Sequence, residues 1–131
     1  MDIRAVDFVV YTVESVDEAI PFYQDTLGLE LEYRDDEFGW VEFAAPPTTL
    51  AIAEENPQYP SKAGERGAEV AFSVEDVEEA LDELREADVE ILMDVQQSPV
   101  CTMAIIEDPD GNPITLHCRD DGTAGRRDPL P

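Results

Sequence analysis

The sequence predicts an α+β fold built from two copies of a β-α-β-β-β module, whose sheets pair in one pseudo-symmetric domain. Three observations carry this. The stretch Val6 to Leu31 reads as a complete strand, cap, helix, stop and strand; it recurs at an offset of 61 residues (69 − 8); and the remainder breaks into short alternating runs parted by turn residues. In the duplication FVVYTVESVDEAIPFY lies over EVAFSVEDVEEALDEL without a gap, so that Val9 meets Val70, Val13 meets Val74 and Ala19 meets Ala80. Two copies are too few for a stacked repeat array.

In the first copy Phe8, Val10 and Thr12 alternate with Val9, Tyr11 and Val13, the period of a strand. Ser15, three residues before Glu18, starts a helix as a capping box. Val16, Ala19, Ile20, Tyr23 and Leu27 follow at helical spacing, and Gly28 supplies the left-handed residue that ends it. Pro21, past the first turn, deletes a backbone hydrogen bond and predicts a slight bend. Strands are expected at Glu30 to Arg34, Trp40 to Phe43 and Thr49 to Ala53, with turns at 35–39 and 45–47. Residues 54–67, with two prolines and two glycines, connect module 1–53 to module 68–118. The second copy predicts a strand at Glu69 to Val74, a helix at Val77 to Ala87 capped by Asp76, strands at Val89 to Met93 and Val100 to Glu107, the turn Asp108-Pro-Asp-Gly-Asn112, and a strand at Pro113 to Cys118. Residues 119–131 lack apolar periodicity and read as a flexible tail.

A chain of 131 residues suits a single domain. Its 32 acids against 8 bases give a net charge of -24, which opposes binding to nucleic acid or anionic membranes. The acids sit between apolar positions of periodic segments, so they coat helix faces rather than disorder the chain. Such self-repulsion is best tolerated where salt screens it, at a Debye length of about 3 Å in 1 M salt; the reading is a halophile's cytoplasmic protein, with an acidic mesophile protein as the alternative. No signal peptide or membrane-length apolar run is read at its start, and reduced thiols are expected for Cys101 and Cys118. A simple hairpin centred on Pro109 and Asp110 places the two cysteines opposite each other, whereas a bulge at Gly111 shifts them by one.

The doubled β-α-β-β-β order, the FYQDTLGLEL run and the DPDGNPITLH turn together resemble the vicinal oxygen chelate superfamily of glyoxalases, bleomycin-resistance proteins and extradiol dioxygenases, over nearly the whole chain to Cys118. The resemblance implies a glyoxalase-like cup of two curved sheets with helices outside, and a homodimer. It also implies four inward positions that hold a divalent metal in the metalloenzymes, here occupied by Phe8, Ala51, Glu69 and Thr115. Phenylalanine and alanine carry no donor atom and threonine is a poor one, so neither a catalytic metal nor another cofactor is expected.

Strand alternation places Phe8, Val10 and Thr12, then Ala51 and Ala53, then Glu69, Ala71 and Ser73, then Thr115 and His117 on the faces of those positions. Trp40 and Glu42 can join them, and so can Met103 if the last hairpin is bulged. Small apolar walls with few polar groups describe a small-molecule pocket; packing against a dimer partner or against Phe8 is the structural alternative. Glu69, desolvated in an apolar cup, is a candidate acid or base, unless it bridges to Arg4 or Arg34. His117, the only histidine, is a second candidate or else a solvated strand residue. The leading expectation is a metal-free protein that sequesters or senses a small, partly aromatic ligand, with Phe8 and Trp40 as stacking surfaces. The alternative is an enzyme of the superfamily, a lyase, isomerase or dioxygenase using Glu69 and His117 or a recruited divalent metal.

Overall fold

The β-branched and aromatic runs become strands arranged in two sheets. The computed structural model describes residues 7–56, 62–65 and 69–125. In chain order these contain β1 (Phe8–Val13), α1 (Val16–Pro21), a π-helical turn (Phe22–Thr26), β2 (Leu31–Asp35), β3 (Trp40–Ala45), β4 (Thr48–Glu54), β5 (Val70–Ser73), α2 (Val77–Glu86), β6 (Glu90–Gln97), β7 (Cys101–Glu107) and β8 (Pro113–Arg119). The sheet orders are β1-β4-β3-β2 and β5-β8-β7-β6, so the duplication seen in the sequence is repeated in topology. In each sheet the first strand of the module pairs in parallel with the last, and the other pairs are antiparallel. A parallel pair needs a long crossover, supplied here by a helix and two intervening strands.

The chain divides into two compact units, Met1–Glu65 with Pro109–Asn112, and Arg66–Asp108 with Pro113–Pro131. In the first, the strand residues Val13, Val41, Phe43, Leu50 and Ile52 are buried together with Val16, Ala19 and Tyr23 from the helical segment. Tyr23 stacks on Phe43 with ring centroids 5.6 Å apart, and Phe22 meets Tyr23 edge to face at 5.1 Å. In the second, Val77, Leu81 and Leu84 of α2 are buried, as are Ala104, Ile106, Ile114 and Leu116 of β7 and β8. One core is aromatic and the other aliphatic.

Both predicted caps form: the Ser15 hydroxyl accepts from the Glu18 amide at 3.3 Å, and Asp76 Oδ1 accepts from the Glu79 amide at 3.0 Å. The first helix is not simply bent at Pro21. It changes to π geometry immediately after it, with the Leu27 amide donating to the Phe22 carbonyl at 2.9 Å. The duplication explains the extra residue. The caps Ser15 and Asp76 are 61 apart (76 − 15), but the left-handed stop residues Gly28 and Asp88, at φ 75° and 58°, are only 60 apart (88 − 28). The first copy therefore holds one more residue between cap and stop, and a π turn, usually a single-turn bulge inside an α-helix, absorbs it beside the proline. Beyond the stop the 60-residue offset persists: the register shift in β2 lies between Leu31 and Tyr33, and one in β6 lies between Ile91 and Met93.

The last hairpin has the bulged register. Thr102 pairs with Cys118 and Cys101 with Arg119, so the two cysteines lie on opposite faces and both are free. Most boundaries differ from the sequence reading by one or two residues, and three differences matter most. Strand β5 begins at Val70 and leaves Glu69 outside it, β6 runs on to Gln97, and β8 includes Arg119. Residues beyond β8 are tied back, since Arg119 donates to the Thr123 hydroxyl at 3.3 Å and the Gly125 carbonyl at 3.1 Å; the rest of the expected tail, 126–131, lies outside the described residues, as do 1–6 and the 57–61 and 66–68 parts of the connecting loop.

The stop residues give a direct test of the helix ends. A left-handed backbone costs a residue with a Cβ about 1–2 kcal/mol. A Cβ at Gly28 meets nothing within 4 Å, so strain is its only penalty. Urea denaturation is expected to show Gly28→Ala destabilised by about 1 kcal/mol, and Asp88→Gly unchanged or more stable.

Candidate functional site

Each sheet turns one face to its own helix, and the candidate residues lie on the other. On the first sheet Val10 pairs with Ala51, which pairs with Glu42; Thr12 pairs with Ala53, which pairs with Trp40. Phe8, Val10, Trp40, Glu42 and Ala51 thus share one face. Phe8 and Trp40 start two strands apart, yet their rings meet edge to face with centroids 5.3 Å apart. They can do so only above β4, where Ala51 and Ala53, both fully buried, offer no side chain beyond Cβ to hold them apart. Phe8 remains 38% exposed, so it is a wall of this face and not a plug in the core. Glu42 stands beside this pair, half-buried, and makes no hydrogen bond or ion pair among the described residues. Tyr33, directly opposite Glu42 on β2 and 52% exposed, completes the aromatic group. Sequence reasoning missed it because the register shift in β2 hides which way its side chains alternate.

On the second sheet Ala71 pairs with Thr115 and Ser73 with His117, while Met103 pairs with His117 and Ile105 with Thr115. Ala71, Met103, Thr115 and His117 therefore share a face. Thr115 is buried, Met103 and His117 are half-buried, and Ala71 is exposed. Glu69 does not keep the environment its candidacy required. It precedes β5 and is exposed, outside the apolar face. The His117 imidazole makes no hydrogen bond or ion pair among the described residues.

Electrostatic structure concentrates away from these faces. Arg34 bridges Asp36 and Asp17, which hold its guanidinium above its ordinary pKa. Arg85 bridges Asp82 at 3.4 Å and Asp94 at 2.9 Å in a shallow depression of about 250 Å³, also lined by Glu78 and Val95. Both are solvent-exposed clusters that clamp neighbouring elements.

Of the four positions that the resemblance assigns to a divalent ion, Glu69 keeps a carboxylate and three fail on chemistry. Phe8 and Ala51 have no donor, and Thr115 offers one neutral hydroxyl. Among the described residues no three His, Cys, Asp or Glu side chains are grouped to hold a metal ion.

The family model for the Glyoxalase/Bleomycin resistance protein/Dioxygenase superfamily matches residues 5–116. The chain belongs to that superfamily. None of the curated proteins matches it. Among solved structures it is similar to TnmS3, an antibiotic binding protein from Streptomyces sp., at 26% identity and a TM-score of 0.77 over 92% of this chain and 99% of that one. A member of the same superfamily from Sphaerobacter thermophilus is 24% identical, with a TM-score of 0.71 over 88% of this chain and 98% of that one. Lactoylglutathione lyase from Agrobacterium tumefaciens, at 19% identity, has a TM-score of 0.69 over 87% and 92%; at such identities the likeness concerns the fold alone. A binding protein and a lyase thus share this superfamily's architecture, and the side chains on the open faces must distinguish them. No helix among the described residues is long and apolar enough to cross a membrane.

The Arg85 cluster predicts a pH dependence. Asp94 is held below its ordinary pKa, first by the Val95 amide and then by Arg85. A depressed carboxyl adds stability above its unfolded value of about 3.9 and loses it as pH falls through the folded value. Thermal melts of Asp94→Asn are expected to match wild type below about pH 3 and to fall short of it above about pH 5, with the difference opening through the ordinary aspartate range.

Proposed function

We propose that this superfamily member is a small-molecule binding protein that sequesters or senses a partly aromatic, positively charged ligand without a divalent metal. The observation that carries the reading is the Phe8–Trp40 ring pair standing half-open above Ala51 and Ala53. A ring held edge to face with its neighbour, on a face with exposed Tyr33, is a surface for stacking. The Glu42 carboxylate beside it, unpaired among the described residues, selects for a cation, since aromatic faces and a carboxylate both attract positive charge. Likeness to an antibiotic binding protein supports binding, and the lost ligand positions argue against metal-assisted turnover. Exposure of Glu69 supports binding over the enzymatic alternative, which rested on Glu69 and His117 or a recruited divalent metal.

The test is a thermal-shift screen of aromatic cations against neutral analogues of the same rings, with recovery of the compound afterwards. Cations are expected to stabilise the protein and return unchanged, and Glu42→Gln to abolish the preference for charge. Phe8→Ala is expected to weaken binding while costing well under the ~3–5 kcal/mol of a buried phenylalanine. Consumption of a compound would overturn the reading in favour of an enzyme.

A homodimer in a halophile's cytoplasm belongs to the same proposal. The net charge of -24 supports the halophilic part, because self-repulsion of this size needs screening. Melting temperature is expected to climb steadily between dilute buffer and multimolar KCl; a plateau once ordinary ionic strength is reached would refute it.

A further inference from the structure

We propose that Cys101, Met103 and His117 form a binding site for a single soft monovalent cation, Cu(I), on the open face of the second sheet. This goes beyond the aromatic face of the first sheet and stands whether or not that face binds a ligand. The site comes from register. Cys101 and Met103 are two apart on β7 and so point the same way, about 7 Å apart. His117 lies directly across from Met103 on β8, where side chains on one face start about 4.5–5.5 Å apart at Cβ and diagonal neighbours about 7–8 Å apart. From these positions a thiol, a thioether and an imidazole lie within rotamer reach of one common ion.

Each donor is available. Cys101 is free and half-buried, and among the described residues its sulfur has one polar side-chain contact, the small Ser98 hydroxyl at 3.3 Å. Arg119, the residue opposite Cys101, turns its guanidinium to Thr123 and Gly125 instead of the thiol. The His117 ring has no polar partner among the described residues, and Met103 is half-buried beside it.

The donor set selects the ion. Zinc takes three or four thiolate, imidazole or carboxylate donors, and only two of these three side chains are of those kinds. A thioether with a thiolate favours Cu(I), and one ionised thiol balances one positive charge. Binding displaces the Cys101 proton, which passes to solvent.

The experiment is an anaerobic titration of the full chain with Cu(I) against a competing chelator such as bicinchoninate, in reductant. Wild type is expected to hold one ion. Cys101→Ser should lose it, while Met103→Leu and His117→Gln should each weaken it at least about tenfold, the scale of even outer-sphere changes at metal sites. Cys118→Ser, whose thiol lies on the opposite face, should bind like wild type. Retained affinity in both Met103→Leu and His117→Gln would overturn the site, because a lone thiol would then account for binding, and so would loss of binding in Cys118→Ser. A second measurement needs no variant. His117 is the only histidine, so its ring resonances are unique, and Ag(I), a redox-inert probe of the same softness, should shift them; unmoved resonances at full occupancy would also overturn the proposal.

Discussion

Everything on the open faces depends on the parallel pairing of the first and last strands of each module. Phe8 to Val13 lies alongside Thr49 to Glu54, and Val70 to Ser73 alongside Ile114 to His117, each in a fixed register. Strand side chains alternate, so a slip of one residue would exchange the two faces completely. It would bring Leu50 and Ile52 to the open side and drive Thr49 and Ala51 into the core. The aromatic and aliphatic cores lock the register, because Phe43 must meet Tyr23, and Ile106 and Ile114 must be buried. Each open face inherits its composition from a constraint enforced on the other side of its sheet.

Much of this was legible in the sequence, and for physical reasons. Period-two runs, the caps Ser15 and Asp76 and the stop at Gly28 are local signals, and the duplication tied them into two modules. The shared faces of Val10 with Ala51 and of Ala71 with Thr115 followed from alternation alone. Features that depend on counting residues across an irregularity were not legible. The π turn after Pro21 hides a one-residue insertion that a gapless match over sixteen residues cannot reveal. The bulged register of the last hairpin decided that Met103 faces with His117 and that the cysteines part company. Tyr33 escaped for the same reason. Glu69 was misjudged because alternation was extended one residue past the start of β5, into chain with no sheet to bury it.

At Phe8 the first sheet carries a large ring beside fully buried alanines, and that decides what the face can attract: polarisable flat surfaces rather than oxygen donors. The first sheet offers rings and the Glu42 carboxylate, unpaired among the described residues, whereas the second offers sulfur and imidazole. The duplicated modules have kept their topology, their caps and an equivalent strand irregularity while their exposed chemistry has diverged.

The turn at 109–112 has a consequence for how the chain is made. These residues join β7 to β8, yet they count with the first compact unit. There the Asn112 amide donates to the Thr12 carbonyl at 3.0 Å and Asp110 accepts from the Glu14 amide at 3.2 Å. The Asp110 carbonyl also passes so close to Gly64 that a Cβ there would lie 2.4 Å from it. A ribosome releasing the chain from its N-terminus finishes the strands of the first module long before it supplies Asn112. The end of β1 then waits without its side-chain partner while the intervening residues are made, at roughly 5–20 residues per second. The nascent first module is therefore an unfinished unit that the last hairpin completes.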